Sequence, residues 1–298
     1  MGFHDKIRYL YKVSPELLMK WIQGQKLQKK ARKLTDRPIP ILSPSYFAAQ
    51  REAVLSLIGK IEQGQSMYSV LANFPAGNYG ERIAEYAYFA QWLLALPVNL
   101  NILDVGCVLN NKSVDQLLKK RCNEVWFCNP SLEAEINVSN PVFYHISSLD
   151  DAFPSGQRFD AVTCLSTIEH IGYDNSQYGA TAPALYKEPS IEPFTRSFGK
   201  LCDLTASGGH LLISFPFGKR EALVHPKTAR LSSQVMDYAS LRECMPTFEE
   251  HGVTAKLDVY ELTSGRWTKV DPSKCTAQYA DKCIGAKAVA LISGAKSM

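Results

Sequence analysis

The sequence predicts an α/β fold: a Rossmann-like, seven-stranded, mostly parallel sheet with helices on both faces, an antiparallel C-terminal edge hairpin and an N-terminal helical extension. Three observations predict it. Strand-like apolar runs alternate with helical or loop stretches from residue 100 onward, as in a sheet built from crossover units. The first run, NLNILDVG, is an apolar strand that a glycine turns toward a helix, the junction around which an open α/β sheet places its ligand. The length of 298 residues, 46% hydrophobic, suffices for one large domain with a smaller appendage.

Residues 1–40 form a basic extension, with ten Lys/Arg against three Asp/Glu; the remaining residues hold 23 against 26, so a +7 head precedes a −3 body. Within it, SPELLMKWIQGQKLQKKARKL (14–34) gathers Leu17, Leu18, Trp21 and Ile22 on one helical face and lysines on most of the rest, with Gly24 interrupting the pattern. Such a helix either lies on an anionic membrane, its Trp and Leu in the headgroup boundary, or docks as a solvated helix on its own domain. Nucleic acid is not an expected partner. No apolar run is long enough to span a bilayer and no signal-peptide pattern opens the chain, so the expected location is cytoplasmic, with peripheral placement at the inner face of the membrane as the finer expectation.

Residues 41–98 read as a helical lead-in. The Pro/Ser-rich RPIPILSPS (37–45) links to a helix over 46–63 with Val54, Leu55, Ile58 and Ile61 inward. The turn NFPAGNYG (73–80) follows, then a helix over 81–95 that Pro97 ends. Residues 99–298 form the core, with strands expected at 100–106, 124–128, 142–146, 160–165, 210–215, 253–262 and 286–293. The last two have no clear helix between them and are expected to pair as the edge hairpin. The loop 173–192 is long for a compact domain, which favours a functional role. The eight cysteines include no CxxC pair and several lie in apolar runs, so neither a disulfide framework nor a zinc site is expected.

Three segments carry the chemistry. In NILDVGCVLN (101–110), Asp104 ends the strand and Gly106 makes the turn before a helix beginning near Ser113. Glycine admits positive φ and leaves space for a ligand, and helix amides beyond it can hold a carboxylate. Cys107, Val108 and Leu109 stand where a GxGxxG fingerprint has its later glycines, which argues against a dinucleotide. In FDAVTCLSTIEHIG (159–172), Ser166, Thr167, Glu169 and His170 lie just past an apolar strand, facing the ligand crevice of a parallel sheet. SGGHLLISFPFGK (207–219) reads as another central strand with its exit loop.

Together these segments resemble class I S-adenosylmethionine-dependent methyltransferases over about residues 81–298. ERIAEY (81–86), DVGCVLN, CLSTIEHIGYD and SFPFGK look most like a bacterial subgroup associated with sugar and surface-polysaccharide biosynthesis. The resemblance implies S-adenosylmethionine as cofactor. It puts Asp104, Gly106, Cys107 and Val108, with the backbone to Asn110, at the methionine end of its pocket. Asn129 falls where a carboxylate usually meets the ribose diol, and an amide accepts only through its carbonyl. Ser147 or Ser148, with Asp150 and Asp151 slightly later, falls where an acid is often found near the adenine. Leu165, Ser166 and Thr167 would line the cofactor, and Glu169 would begin the acceptor wall.

Methyl transfer from a sulfonium to a hydroxyl needs an in-line approach and removal of a proton, a task suited to His170 as base; alternatively Glu169-His170 only orients the following turn. Magnesium on Glu169, His170 and Asp174 would polarise a diol, but the spacing is irregular and no metal is expected. Tyr173, Asp174 and Tyr178 would form an acceptor lid, with Lys219, Arg220 and His225 able to meet a phosphate or carboxylate. Trp267, flanked by Arg266 and Lys269, either stacks on a sugar or packs at the sheet edge. The leading expectation is O-methylation of a sugar, nucleotide-sugar or glycan; the alternatives are N- or C-methylation of a small natural product, and a methyltransferase-like scaffold without catalysis.

Overall fold

The computed structural model describes residues 43–75, 79–131, 135–149, 153, 156–176, 184–224, 230–280 and 285–298. The basic segment 1–40, Asp150, Asp151, Tyr178 and His225 lie outside the described residues. The backbone divides into two compact units, residues 1–55 and 56–298, and the boundary falls within the first described helix, α1 (Pro44–Glu62). In α1, Val54, Leu57, Ile58 and Ile61 are buried while Leu55 is 39% exposed. The buried set follows the i, i+3, i+4, i+7 spacing of one helical face, which Leu55 breaks and Leu57 completes.

The second unit continues through α2 (Met67–Asn73) and α3 (Arg82–Ala95) into the sheet. Its strands are β1 (Leu100–Val105), β2 (Cys122–Asn129), β3 (Val142–Ile146), β4 (Phe159–Leu165), β5 (Thr205–Pro216), β8 (Val253–Thr263), β9 (Arg266–Val270) and β10 (Ala288–Lys296). Their order is β3-β2-β1-β4-β5-β10-β8-β9, the first five parallel and the rest antiparallel. From β1 the chain winds outward to β2 and β3, then returns to lay β4 on the other side of β1, so the topological switch point lies between β1 and β4. This is the Rossmann-like sheet expected, with two differences. The strands at 253–263 and 288–296 do pair antiparallel, but β10 inserts between β5 and β8 and is buried along most of its length, so it is not an edge. The edge belongs to β9, which folds back on β8 through Ser264 and Gly265, both at positive φ (51° and 75°), as a two-residue hairpin turn requires. A separate hairpin, β6 (Glu221–Val224) with β7 (Leu231–Val235), follows β5 and was not expected.

One face of the sheet is covered by α5 (Glu192–Leu204), α6 (Tyr238–Cys244) and α7 (Pro246–Glu250), whose Phe194, Phe198, Leu201, Leu241 and Phe248 pack on Val162, Ile213, Phe215, Val259 and Ile292. The other is covered by α2, α3 and α4 (Asp115–Arg121), with α2 on β9 and α3 on β10. Tyr88 of α3 donates to the buried Asp258 of β8 (2.9 Å), which also pairs with Lys256 and Lys269. The seven described cysteines are unbridged and buried, serving as small apolar groups.

Candidate active site

At the carboxyl end of β1 the chain turns back through a loop that its neighbours hold at every step. Asp104 is fully buried; it accepts from the Leu109 amide through Oδ2 (2.7 Å) and from the Thr163 hydroxyl through Oδ1 (2.8 Å). Its carboxylate therefore clamps the loop. Burial raises its pKa to about 7, against the opposing pull of those two bonds and of Arg82. Gly106 has φ 97°, and a Cβ there would collide with the Thr167 side chain, so glycine is required twice over. The Gly106 amide donates to the Cys128 carbonyl (2.9 Å), joining the ends of β1 and β2. Cys107 follows at φ 57°, with its thiol donating to the Tyr144 hydroxyl (3.2 Å). The Val108 carbonyl accepts from Tyr86 of α3 (2.8 Å), and Asn110 bonds the Glu135 carbonyl and the Asn137 amide.

Beside it, Asn129 closes β2. Its Nδ2 donates to the Ser131 carbonyl (3.0 Å), leaving Oδ1 as its acceptor. Tyr144 of β3 donates to the same carbonyl (2.8 Å), Ser147 donates its amide to Asn129 O (3.2 Å) and its hydroxyl to Ser148 O (3.0 Å).

Past β4, Leu165 is buried and Ser166 adopts φ 37°, uncommon for a residue other than glycine. What holds it there is α3. Glu85, fully buried, accepts at Oε1 from the hydroxyls of Ser166 (2.5 Å) and Ser214 (2.6 Å), and at Oε2 from the Arg82 guanidinium (2.7 Å). Thr167 donates to the Leu165 carbonyl (2.9 Å). The chain then makes a single 3-10 turn, Ile168–His170. Glu169 is 3% exposed, and its Oε2 meets no hydrogen-bond partner among the described residues; burial pushes its carboxyl well above the usual range. His170 Nδ1 lies 2.8 Å from the Ser232 carbonyl of β7. Because a carbonyl only accepts, Nδ1 carries the hydrogen and Nε2 the basic lone pair. Burial lowers the His170 pKa below the ordinary imidazole value, as does Arg82, so the ring is neutral at pH 7.

Sequence reasoning placed Asp104, Gly106, Cys107, Val108, Asn129, Ser147, Ser148 and 165–170, and the structure gathers them at the carboxyl ends of four adjacent strands. It gave no site role to the ERIAEY turn, from which Glu81, just before α3, and Arg82, Glu85 and Tyr86 of α3 join the site. An acid inside the apolar stretch IAEYAYFA was the available signal, since a lone carboxylate there must be paired if the helix is buried all round.

Tyr173 and Asp174, expected on an acceptor lid, are both buried. Tyr173 accepts from the Ser190 amide (3.2 Å), Asp174 donates its amide to Leu231 O of β7 (2.9 Å), and Gln234 of β7 donates to Ser190 O (2.5 Å). The unexpected β6–β7 hairpin is therefore what fastens His170, Asp174 and Ser190. Lys219 and Arg220 follow β5 at the same end of the sheet, both exposed, with Arg220 reaching Pro189 O at 3.4 Å. Trp267 is 1% exposed in β9, so it packs at the sheet edge and offers no face to a sugar. Among the described residues no cluster of three or more His, Cys, Asp and Glu suits a metal ion.

No family model matches the chain and no curated protein does. Solved structures with a similar course of chain include the N-methyltransferase NodS from Bradyrhizobium japonicum WM9 with S-adenosylhomocysteine (13% identity, 78% of this chain and 100% of that one, TM-score 0.44). Others are DhpI with S-adenosylhomocysteine (13% identity, 83% and 97%, TM-score 0.44) and the 1,6-didemethyltoxoflavin-N1-methyltransferase of Burkholderia thailandensis (12% identity, 88% and 94%, TM-score 0.44). Likeness at this level assigns no residue a role.

Proposed function

We propose that the chain is an S-adenosylmethionine-dependent O-methyltransferase whose acceptor is a sugar, nucleotide-sugar or glycan hydroxyl and whose base is His170. The observation that carries the reading is the bond from His170 Nδ1 to the Ser232 carbonyl, 2.8 Å, because it fixes the tautomer whose basic Nε2 stands in the turn after β4, 3.9 Å from Glu169 Oε1, while burial and Arg82 keep the ring neutral. When bound, S-adenosylmethionine supplies a methyl group made electrophilic by its sulfonium.

The residues present fit such a group. Gly106 and Cys107, two successive residues at positive φ, turn the backbone beside the switch point, where an open α/β sheet leaves its crevice. Glu81, Glu85, Asp104 and Glu169 against the single guanidinium of Arg82 suit a cation there. Asp104 and Thr167 hold the shape of that loop, Asn129 Oδ1 is an acceptor at the end of β2, and Glu85 fixes the segment 166–170. His170 Nε2 takes the proton of the acceptor hydroxyl as the oxygen attacks, and Lys219 and Arg220 lie where an acceptor phosphate or carboxylate would gain charge-assisted hydrogen bonds.

The test is a methyl-transfer screen of nucleotide sugars and glycan fragments with isotopically labelled methyl donor, the product identified by mass. A labelled sugar is expected, with kcat falling about 10²- to 10⁴-fold in His170→Ala. Transfer only to amines, unchanged in His170→Ala, would replace O- by N-methylation. Failure of S-adenosylhomocysteine to bind at millimolar concentration would leave the scaffold reading.

A further inference from the structure

The distribution of charge around Arg82 is lopsided. Glu81, Arg82 and Glu85 occupy one turn at the start of α3, Asp104 ends β1, and Glu169 sits in the turn after β4. Arg82 thus answers for four carboxyls, of which Glu85 meets its guanidinium at 2.7 Å, while Glu81 accepts from the Ala286 amide (3.0 Å) and Asp104 from Leu109 and Thr163. The remaining neighbours do not redress the balance: Tyr86 and Cys164 are held neutral by burial, and His170 is kept neutral by burial and by Arg82. Arg82 pulls down the proton affinity of Glu81, Asp104 and Glu169, yet burial outweighs it at all three. Glu81 and Asp104 come to rest at about 7 and Glu169 higher. Glu169 is the most exceptional of them. Buried to 3% exposure, its Oε2 finds no donor among the described residues, and its Oε1 has His170 Nε2 at 3.9 Å, a ring kept neutral, so its ionised form meets no cation at contact distance.

We propose that this cluster tells the cationic methyl donor from its neutral demethylated product by charge, giving up a proton when the sulfonium enters and recovering one when the methyl has gone. The inference rests on the methyl-transfer reading above. On donor binding a carboxylic acid of the cluster loses H⁺ to solvent and its carboxylate faces the sulfonium. In the transfer the C–S bond breaks with its electron pair left on sulfur, the new O–C bond forms, and the acceptor's proton passes to His170. The carboxylate, now opposite an uncharged thioether, takes a proton back. Net, one proton leaves with each methyl transferred, which is the balance of an O-methylation. The consequence is a site that prefers substrate over product without any difference in shape.

Calorimetry on the intact chain tests this with three probes that share the same amino-acid and adenosine parts: S-adenosylmethionine, its unreactive analogue with an ammonium in place of the sulfonium, and S-adenosylhomocysteine. From about pH 6 to about pH 7 the common α-amino group stays protonated and cancels. Release of a proton from a carboxyl titrating near 7 lets affinity rise by at most about tenfold per pH unit. The two cations are expected to gain about fivefold over S-adenosylhomocysteine across that unit, with proton release visible as a dependence of the heat on buffer ionisation. Glu169→Gln should weaken that pH dependence, and Glu81→Gln is the second variant; unchanged binding of S-adenosylhomocysteine reports an intact pocket in each. Equal pH dependence for all three probes, or an undiminished one in both variants, overturns the proposal. Binding by none of the three overturns the methyl-transfer reading and this inference with it.

Discussion

Replacing Glu85 by Ala should be among the most damaging single changes in the chain, and the structure sets its size. The carboxylate is fully buried and accepts from three donors: Arg82 at 2.7 Å, Ser166 at 2.5 Å and Ser214 at 2.6 Å. Removing one partner of a buried ion pair costs about 3–5 kcal/mol, because the survivor is left charged in a poor solvent. Arg82 is 29% exposed at its side chain, which lets water recover part of that, so about 2–4 kcal/mol is expected. The measurement is urea unfolding of the wild type, Glu85→Ala, Glu85→Gln, the single variants Arg82→Met and Glu85→Leu, and the double variant Arg82→Met with Glu85→Leu. Glu85→Gln should fall between the first two, since an amide oxygen still accepts from one serine. The double variant should recover much of the loss, because no charge remains buried, and the cycle should give a coupling energy of a kcal/mol or more. A Glu85→Ala protein within about 0.5 kcal/mol of wild type, the level of an ordinary surface change, would refute the reasoning. A cycle without coupling would refute it equally.

Three further outcomes follow from the same structure. Gly106→Ala forces a Cβ into Thr167 at φ 97°, so about 2–4 kcal/mol of stability should be lost, and adding Thr167→Gly should return part of it; equal urea midpoints for Gly106→Ala and wild type would count against the packing described. Burial puts the folded-state pKa of Asp104 at about 7, above its unfolded value, so the native state holds more protons than the unfolded one between about pH 4 and 7 and stability should fall as pH rises through that window. Asp104→Asn should flatten the fall, and a stability curve that rises there would contradict it. For the basic segment, the intact chain should pellet with anionic vesicles while a chain starting near Pro38 should not; equal behaviour of the two would remove membrane contact.

The strands that form the middle of the sheet were legible because a strand buried on both faces must be mostly apolar, and β1, β4 and the inner part of β5 are, their buried Asp104, Thr163 and Ser214 being hydrogen-bonded. The strands that escaped notice are polar for definite reasons. β9 reads RWTKV because it is an edge, with only Trp267 turned inward. β7 reads LSSQV and is nonetheless buried at every position, its polar groups spent on neighbouring loops: Ser232 O on His170, Gln234 on Ser190 O. Burial by hydrogen bonding leaves no hydrophobic period to find. The site divides the same way. Asp104, Gly106 and the STIEH stretch announce themselves by position after strands, whereas Glu85 has the composition of a solvent-facing helical residue and acquires its role only when Ser166 and Ser214 arrive from β4 and β5.

The same division bears on how the loop after β1 keeps its shape without the later glycines of a phosphate-binding fingerprint. A glycine-rich loop reaches unusual φ values at little cost; Cys107 at φ 57° and Ser166 at φ 37° do not, each standing in a conformation that costs a non-glycine residue of order 1 kcal/mol or more. Such residues persist only where the surroundings over-determine them, and the surroundings here are identifiable. Tyr86 fixes Val108 from α3, Tyr144 meets Cys107 from β3, and Glu85 fixes Ser166. The crevice is thus shaped from outside, by side chains on helices and strands, instead of from within by backbone freedom. Rigid elements hold geometry better than loops do, and α3, which carries Tyr86 and Glu85 together, becomes part of the site even though none of its residues lies on a loop.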